Sequence, residues 1–178
     1  MGPRFRQVTD SVFLFEDICN VYAIRRGGQA LLIDFGTGQV LEHLAILHTH
    51  HHRDQAQGDH LAAARGIPIW APHHERHLFD QVETYWTVKQ LYDVYDVRNT
   101  YFALNQSVPV AGVLDDWERL LFAPGKVQTV FDMQYSYGAV DGVESAILSF
   151  NLLEGRSPDC LCPSHGETMR AGDRGVGR

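Results

Sequence analysis

The chain has 178 residues, of which 44% are hydrophobic and 21% are charged, as expected of one globular domain with a hydrophobic core. The formal net charge is -7, and no basic block occurs in the sequence. This composition excludes a low-complexity chain and gives no support to nucleic acid or an anionic membrane as a partner.

The first third of the chain is predicted to form short strands, because its segments are rich in β-branched and aromatic side chains. The predicted strands are residues 11–15, 20–26, 29–35 and 45–47, with a short helix over 40–44. Gly27 and Gly28 form a two-residue hairpin signal between two of these strands. The run from Ala30 to Ile33 is continuously apolar, which indicates a fully buried strand that ends at Asp34.

The rest of the chain alternates predicted helices and strands. The predicted helices are 57–65, 72–79, 84–97 and 140–154, and the predicted strands are 67–71, 127–135 and 158–162, of which 127–135 also suits an extended loop. Early strands followed by alternation predict a layered α/β or α+β domain over residues 1–169. The glycine- and arginine-rich residues 170–178 are predicted to form a disordered tail.

The three cysteines, Cys19, Cys160 and Cys162, are an odd and sparse set that does not form a disulfide framework. Cys160 and Cys162 alternate in an apolar segment, which predicts small buried residues on one side of a strand. The first residues lack the apolar core of a signal peptide, and no apolar run reaches transmembrane length. The cytoplasm is therefore the expected compartment.

Ten histidines are the outlier of the composition, and the run His48-Thr49-His50-His51-His52-Arg53-Asp54-Gln55 concentrates four of them after an apolar stretch. His50 and His52 alternate, and Asp54 follows two residues later. Zinc favours nitrogen ligands and accepts a carboxylate oxygen as a further ligand, so this cluster predicts a metal site. A solvated polar loop with incidental histidines is the alternative interpretation. An expression tag is not expected, because the run is internal and lies between apolar segments.

The glycine hairpin, the strand end Asp34-Phe35-Gly36-Thr37-Gly38 and the motif Thr49-His50-His51-His52-Arg53-Asp54 together resemble the metallo-β-lactamase superfamily, whose signature is Thr-His-x-His-x-Asp-His. Pro163-Ser164-His165-Gly166 resembles the last metal-binding motif of that family. The resemblance covers the chain from about Ser11 to Glu167. It implies an α/β (α+β) four-layer αββα sandwich with metal at one edge of its two sheets. It also implies metal-dependent hydrolysis of a small-molecule ester, thioester, lactone, lactam, or phosphate or sulfate ester.

By this resemblance, His50 and His52 would hold one metal ion, and Asp54 and His165 would face a second. The expected ion is zinc, with iron or manganese as alternatives. A metal-bound water becomes acidic enough to supply hydroxide near neutral pH, and the metal polarises the bond under attack. Asp54 would ligate metal and orient the nucleophile, which makes it the catalytic candidate. Asp34 would either fix an imidazole tautomer behind the ligands or only form the turn at the strand end.

The sequence departs from the family pattern in three places. The family histidine after Asp54 is Gln55, whose neutral amide oxygen is a weaker ligand, so one ion rather than two is an alternative. No histidine occurs over residues 78–164, where the family supplies a middle histidine. His73 and His77 could bind metal at helical spacing, but a solvated helix face is favoured. No bridging aspartate is identified, and Asp132 is a weak candidate.

Both missing motifs would lie at one junction, where Asp115 to Arg119 runs directly into residues 120–126. We hypothesise that an internal block is absent near Leu120, which would leave the second sheet incomplete with exposed edges. Close relatives whose sequences have no extra residues at this junction would contradict the hypothesis. Two functions stay open: a metal-dependent hydrolase, and a non-catalytic or truncated member of the fold that binds metal weakly or not at all. Homo-oligomer formation also stays open.

Overall fold

A mixed sheet of seven strands organises the computed structural model, which describes residues 5–26, 28–40, 45–90, 103–115, 119–122, 125–128, 155 and 159–170. The strands are β1 (Arg6–Gln7), β2 (Val12–Glu16), β3 (Asn20–Arg26), β4 (Gln29–Ile33), β5 (Ala45–Leu47), β6 (Ile69–Pro72) and β7 (Gly112–Leu114). Their order in the sheet is the order along the chain. Strands β1 to β4 form an antiparallel meander, and β4 to β7 are parallel.

Short helices connect the parallel strands, as parallel pairing requires a crossover connection. They are α1 (Arg53–Ala56), α2 (Asp59–Ala63), a 3₁₀ turn (His73–Glu75), α3 (His77–Asp80) and α4 (Val82–Gln90). Two antiparallel pairs lie outside the seven-stranded sheet: β8 (Arg119–Phe122) with β9 (Gly125–Gln128), and β10 (Cys160–Leu161) with β11 (Met169–Arg170). Within the described part of the chain, no helix is long and apolar enough to span a membrane.

Alternating side chains of the central strands bury both faces of the sheet. Leu32 of β4 and Ile46 of β5 belong to the large core that also contains Phe79 and Trp86 from the helices. The neighbouring side chains of the same strands pack on the opposite face, as the two-residue period of a strand requires. Among these are Leu31, Ala45 and Leu47. Burial on both faces confirms the prediction for Leu31 and Leu32, whereas Ala30 and Ile33 at the two ends of the apolar run are half-buried.

The parallel strands bring polar residues to one edge of the sheet. Asp34 follows β4, the histidine run follows β5, the 3₁₀ turn follows β6, and Asp115 follows β7. Carboxyl ends of parallel strands lie at the same edge, and ligand sites of open α/β sheets form there. The topology therefore gathers at one edge the residues that the sequence singled out.

The N-terminal strands agree with the sequence prediction. Strand β3 has the predicted bounds, and Arg26 pairs with Gln29 across the two-residue turn. Gly28 in this turn has a φ of 82°, a conformation that glycine adopts without the steric penalty of a β-carbon.

Two helical predictions are wrong in their boundaries. The helix predicted over 57–65 is instead α1 and α2, separated at Gly58. A β-carbon on Gly58 would lie 2.3 Å from the Gly38 backbone nitrogen, so the close approach of these two loops requires glycine. Pro72, predicted to open a helix, instead ends β6 and pairs with Leu114. Its backbone is extended, with φ of -56° and ψ of 138°, which the proline ring permits.

The C-terminal predictions are only partly covered by the structure. Arg170, predicted to begin the tail, pairs with Cys160 in β10 and donates to the Val8 carbonyl oxygen. Cys160 is half-buried and Cys162 is exposed, so the prediction that both are buried is wrong. Residues 41–44 of the predicted helix 40–44, the predicted helix 140–154, most of strand 127–135, and residues 171–178 lie outside the described residues.

Candidate metal centre

His50 and His52 lie side by side in the loop after β5. Their ring centroids are 4.4 Å apart in an edge-on arrangement. Burial lowers the pKa of His50. Burial, followed by the neighbouring His50 ring, lowers the pKa of His52 to about 4. Both imidazoles are therefore neutral at neutral pH, and the neutral ring is the form that binds a metal ion.

Asp34 and Thr49 determine the tautomer of His50. The Asp34 carboxylate accepts from the Thr49 backbone nitrogen at 2.8 Å and from its hydroxyl at 2.8 Å. The Thr49 hydroxyl oxygen also lies 2.8 Å from Nδ1 of His50. Because the hydroxyl has one proton and donates it to Asp34, its oxygen accepts from Nδ1–H of His50. The lone pair of His50 is then on Nε2, where it can bind a metal ion.

The two interpretations of Asp34 are therefore compatible. Asp34 is buried and has a φ of 58°, so it forms the turn at the end of β4 in a left-handed conformation. Aspartate tolerates this region better than most residues. Its carboxylate also stands behind His50, with Thr49 between them.

His48 lies under the loop, fully buried between two carboxylates. Its Nε2 is 2.9 Å from Asp59, and its Nδ1 is 3.5 Å from Asp34. Burial opposes protonation of His48, but Asp59 and Asp34 outweigh it and raise the pKa of His48 to about 9. Burial also raises the pKa of Asp59, against the attraction of His48. The second carboxylate, Asp34, favours the form in which His48 carries the proton. His48 is then a buried positive charge beneath the loop of His50 and His52.

Glu75 fixes the other side of the loop from the 3₁₀ turn after β6. Its carboxylate accepts from the His51 backbone nitrogen at 2.7 Å and lies 3.2 Å from His51 Nδ1. Burial alone would raise the pKa of Glu75, but hydrogen bonding and charge interaction with His51 outweigh it and lower the pKa. Glu75 therefore stays ionised and ties the loop after β5 to the turn after β6.

His165 reaches the centre from the far end of the chain. Its Nε2 is 2.8 Å from Asp54 Oδ2, and its side chain is 63% exposed. Gln55 donates to the same Asp54 oxygen at 2.9 Å, and its Nε2 is 3.3 Å from His165 Nε2. Gln55 is fully buried, and its Oε1 atom has no hydrogen-bond partner among the described residues. A buried acceptor without a partner is a position where a bound water or ion would be stabilised.

The donors fit a metal ion in their chemistry but form two pairs. One pair is His50 with His52, and the other is Asp54 with His165. Two neutral imidazoles, a carboxylate and a further imidazole are zinc ligand types, and the Gln55 amide, whose Oε1 has no partner among the described residues, contacts the second pair through its Nε2. The described residues contain no group of three or more histidine, cysteine, aspartate or glutamate side chains placed to hold one ion.

The weaker sequence candidates stay apart from this centre. His73 Nδ1 lies 3.4 Å from Asp115, and both side chains are more than half exposed. The described residues give His73 and His77 no third donor. Asp132 lies outside the described residues, and the block proposed to be missing near Leu120 stays a prediction.

Sequence reasoning missed Glu75, Asp59 and the supporting role of His48. Glu75 follows a parallel strand, which is a usable signal only once the strand order is known. Asp59 meets His48 because α2 packs under the loop, and the sequence pattern carries no sign of that contact.

Solved structures that share this fold are metallo-β-lactamases. BJP-1, a subclass B3 metallo-β-lactamase of Bradyrhizobium japonicum, matches with a TM-score of 0.69 and 15% identity over 92% of this chain and 78% of that chain. FEZ-1 from Legionella gormanii matches with a TM-score of 0.65 and 14% identity over 92% and 80%. A Cronobacter sakazakii metallo-β-lactamase with a HARLDQ motif matches with a TM-score of 0.63 and 15% identity over 90% and 79%.

These structural matches establish the fold of the chain. The metallo-β-lactamase-like α/β sandwich predicted from the sequence is confirmed, and the described residues contain its seven-stranded sheet and one helical layer. No protein-family model matches the sequence, and comparison with curated proteins finds no similar sequence.

The HARLDQ motif of the Cronobacter sakazakii protein can be compared with Gln55, which stands where the family signature has histidine. That motif has histidine first, aspartate fifth and glutamine sixth. Residues 50–55 of this chain have the same residue types at those positions, whereas the third position is His52 instead of arginine. Glutamine after the aspartate therefore occurs in a protein described as a metallo-β-lactamase, and Gln55 does not argue against the resemblance.

Proposed function

We propose that the chain is a metal-dependent hydrolase that attacks an ester, thioester, lactone or similar bond in a small-molecule substrate. The observation that carries the proposal is the contact of His165 with Asp54, 2.8 Å apart, beside two neutral imidazoles on the same loop. Residues so distant in the sequence meet at the sheet edge where ligand sites of α/β folds form. The metallo-β-lactamase fold supports this interpretation.

In this proposal His50, His52, Asp54 and His165 hold zinc, or iron or manganese. One or two ions would fit the two pairs of donors, and Gln55 in place of a histidine favours one. The bound metal would lower the pKa of a coordinated water and polarise the scissile bond.

The protein's own residues would prepare the centre. Asp34 holds the Thr49 hydroxyl, which keeps the proton of His50 on Nδ1. Gln55 donates to Asp54 and so fixes the orientation of that carboxylate. Asp54 would then accept a hydrogen bond from the nucleophile and orient it, because ionised carboxylates are hydrogen-bond acceptors.

The test combines metal analysis with hydrolysis of activated esters and thioesters. Purified protein should contain near-stoichiometric metal, and His52→Ala should lower hydrolysis by about 100-fold or more, since a metal supplies several kcal/mol of transition-state stabilisation. His60→Ala is the matched control, because His60 is an exposed histidine that hydrogen-bonds within its own helix region. Equal activity of His52→Ala and the unmodified protein would refute the assigned site.

A non-catalytic protein with weak or no metal binding is the second candidate. It is favoured by Gln55 and by the lack of a three-donor group within the described residues. It predicts substoichiometric metal and no turnover, so the same measurements separate the two. Both candidates include a cytoplasmic location and neither requires a nucleic-acid or membrane partner, as the net charge of -7 supports.

A further inference from the structure

The loop that carries His165 is attached to the first residue of β3. The Asn20 backbone nitrogen donates to the Ser164 carbonyl oxygen at 2.7 Å. The Asn20 side-chain nitrogen donates to the Pro163 carbonyl oxygen at 2.9 Å and to the Gly166 carbonyl oxygen at 2.8 Å. Asn20 is nearly buried. One residue therefore contacts the backbone on both sides of His165.

Tyr22 adds a further hydrogen bond from the same strand. Residues two apart in a strand share a face, so Tyr22 lies beside Asn20. Its hydroxyl donates to the Pro163 carbonyl oxygen at 2.9 Å. Burial raises the pKa of Tyr22 well above its ordinary value, which keeps the hydroxyl protonated and donating. Pro163 thus accepts from two side chains of β3.

The chemistry of Asn20 suits this task in a way that few residues match. A primary amide has two hydrogens on one nitrogen, and here they serve two carbonyl groups. Aspartate at this position would turn the same geometry into repulsion between oxygens, and serine has one hydrogen to donate. Alanine would leave both carbonyl groups without this partner.

His165 cannot be held in place by its own burial. Its side chain is 63% exposed, and its contacts at the centre are with Asp54 and Gln55. Gly166 beside it has a φ of 88°, which glycine adopts freely, so this flexible loop needs hydrogen bonds from outside it to keep one conformation. The hydrogen bonds from β3 supply that support on both sides of the histidine.

We propose that Asn20, assisted by Tyr22, is a positioning residue that holds His165 against Asp54 and thereby sets the metal affinity of the centre. The inference rests on the proposed function for its effect on metal, whereas the placement of His165 can be measured without metal. The hydrogen bonds of Asn20 are to the backbone of this loop and to the Tyr22 hydroxyl, so we expect it to act through the loop.

The first test is zinc affinity measured by competition with a chromophoric chelator. Asn20→Ala should weaken binding by about 10- to 100-fold, the usual effect of removing a residue that orients a ligand. Tyr22→Phe should have a smaller effect, because Pro163 still accepts from Asn20. Ser107→Ala is the matched control, since the Ser107 hydroxyl oxygen accepts from the Val82 backbone nitrogen and so also bridges two segments. Unchanged affinity in Asn20→Ala would overturn the proposal.

A double-mutant cycle separates positioning from general destabilisation. If Asn20 acts through His165, the combination of Asn20→Ala with His165→Ala should bind zinc as His165→Ala alone does. A purely structural role would make the two losses multiply. Multiplying losses would therefore overturn the proposal. Visible spectra of the cobalt-substituted protein should also change in the same way in Asn20→Ala and His165→Ala.

A measurement without metal keeps this inference distinct from the proposed function. In chelator-treated protein, NMR contacts between the Gln55 side-chain amide and the His165 ring should be present, because the two nitrogens lie 3.3 Å apart. Asn20→Ala should abolish these contacts while the Trp86 indole signal stays in place, and Ser107→Ala should retain both. Persistent contacts in Asn20→Ala would overturn the inference even if the protein binds no zinc. If Asn20→Ala does not fold, Tyr22→Phe takes its place, and a weakening of the contacts is expected.

Discussion

The loop after β5 and the loop of Pro163–Gly166 both contribute to the candidate centre, but they are held by different means. The loop after β5 rests on buried charges, with His48 and Asp34 beneath it. The loop of Pro163–Gly166 has an exposed histidine and is attached through its backbone to β3.

The difference implies that substitutions in the two loops affect the stability of the protein to different degrees. Removing one member of a buried charged network leaves other charges without partners, which is costly. Removing an exposed side chain costs little stability. We therefore expect changes at the loop after β5 to affect stability and metal binding together. Changes at His165 should affect metal binding almost alone.

Asp34→Ala should cause the largest loss of stability, and it tests whether buried charges hold the loop after β5. The change removes an acceptor from the Thr49 nitrogen and hydroxyl and a carboxylate from His48, at a position with a φ of 58°. We expect a loss of about 3–5 kcal/mol in the free energy of unfolding. Urea unfolding in the presence of a chelator measures it.

Asp34→Asn is the matched control for that change. Asparagine keeps one oxygen acceptor and tolerates the left-handed backbone, so the loss should be clearly smaller. Losses below about 0.5 kcal/mol in Asp34→Ala would show that the buried network does not stabilise the loop, because such a value is typical of an ordinary surface change.

The next largest expected effect is a fall in the free energy of unfolding as the pH rises. The folded pKa of His48, about 9, lies above its ordinary value of 6.5. The contribution of His48 to the free energy of unfolding is therefore fully present below pH 6.5 and is lost as the pH rises through about 9. The titration of His48 should lower the free energy of unfolding by at most about 3 kcal/mol over this window. The raised pKa of Asp59 acts in the same direction, because its contribution is lost as the pH rises above its ordinary value of 3.8.

Chelator-treated protein unfolded in urea at pH 6.5, 7.5, 8.5 and 9 measures this fall. Burial raises the pKa of the Cys19 thiol, so ionisation of Cys19 in the unfolded chain adds a second loss at higher pH. Asp59→Asn removes the carboxylate that most favours protonated His48 and should flatten the curve below pH 9. A curve of equal slope in that variant would contradict a protonated His48.

Thr49→Val should have a smaller effect on stability and a clear effect on zinc. It removes the hydroxyl between Asp34 and His50, so the free energy of unfolding should fall by about 1 kcal/mol and zinc affinity by about 10-fold. Thr37→Val is the control, because the Thr37 hydroxyl donates to Asp17 in a similarly half-buried loop. Its stability loss should be similar and its zinc affinity unchanged. An equal loss of zinc affinity in both variants would show that Thr49 has no special role in zinc binding.

His165→Ala should change the stability of the protein least, and it tests directly whether the two loops are held by different means. Its side chain is 63% exposed, so the free energy of unfolding should change by no more than about 0.5 kcal/mol. Zinc affinity should nevertheless fall, since a proposed ligand is lost. Urea unfolding and chelator competition on the same sample give both values. A stability loss as large as that of Asp34→Ala would show that the two loops are held alike.

Much of the N-terminal sheet could be predicted from local pattern. Strand β3 and the turn at Gly28 follow from side-chain composition and the paired glycines, because both signals lie within a few residues. The division of the predicted helix at Gly58 could not be predicted. It follows from the approach of Gly38, which is distant in the sequence.

The sequence by itself determined that His50, His52 and Asp54 form a compact set of metal-ligand types, since their spacing is local. Only the tertiary structure decided that Glu75 holds His51 and that Asn20 holds the loop of His165. The family resemblance had already implied that His165 and Asp54 face one ion, and the structure gives their contact at 2.8 Å. These contacts join residues far apart in the chain, and a contact of that kind depends on strand order and loop docking. Neither leaves a periodic signal in the sequence, so the residues that support the centre became visible only in the folded chain.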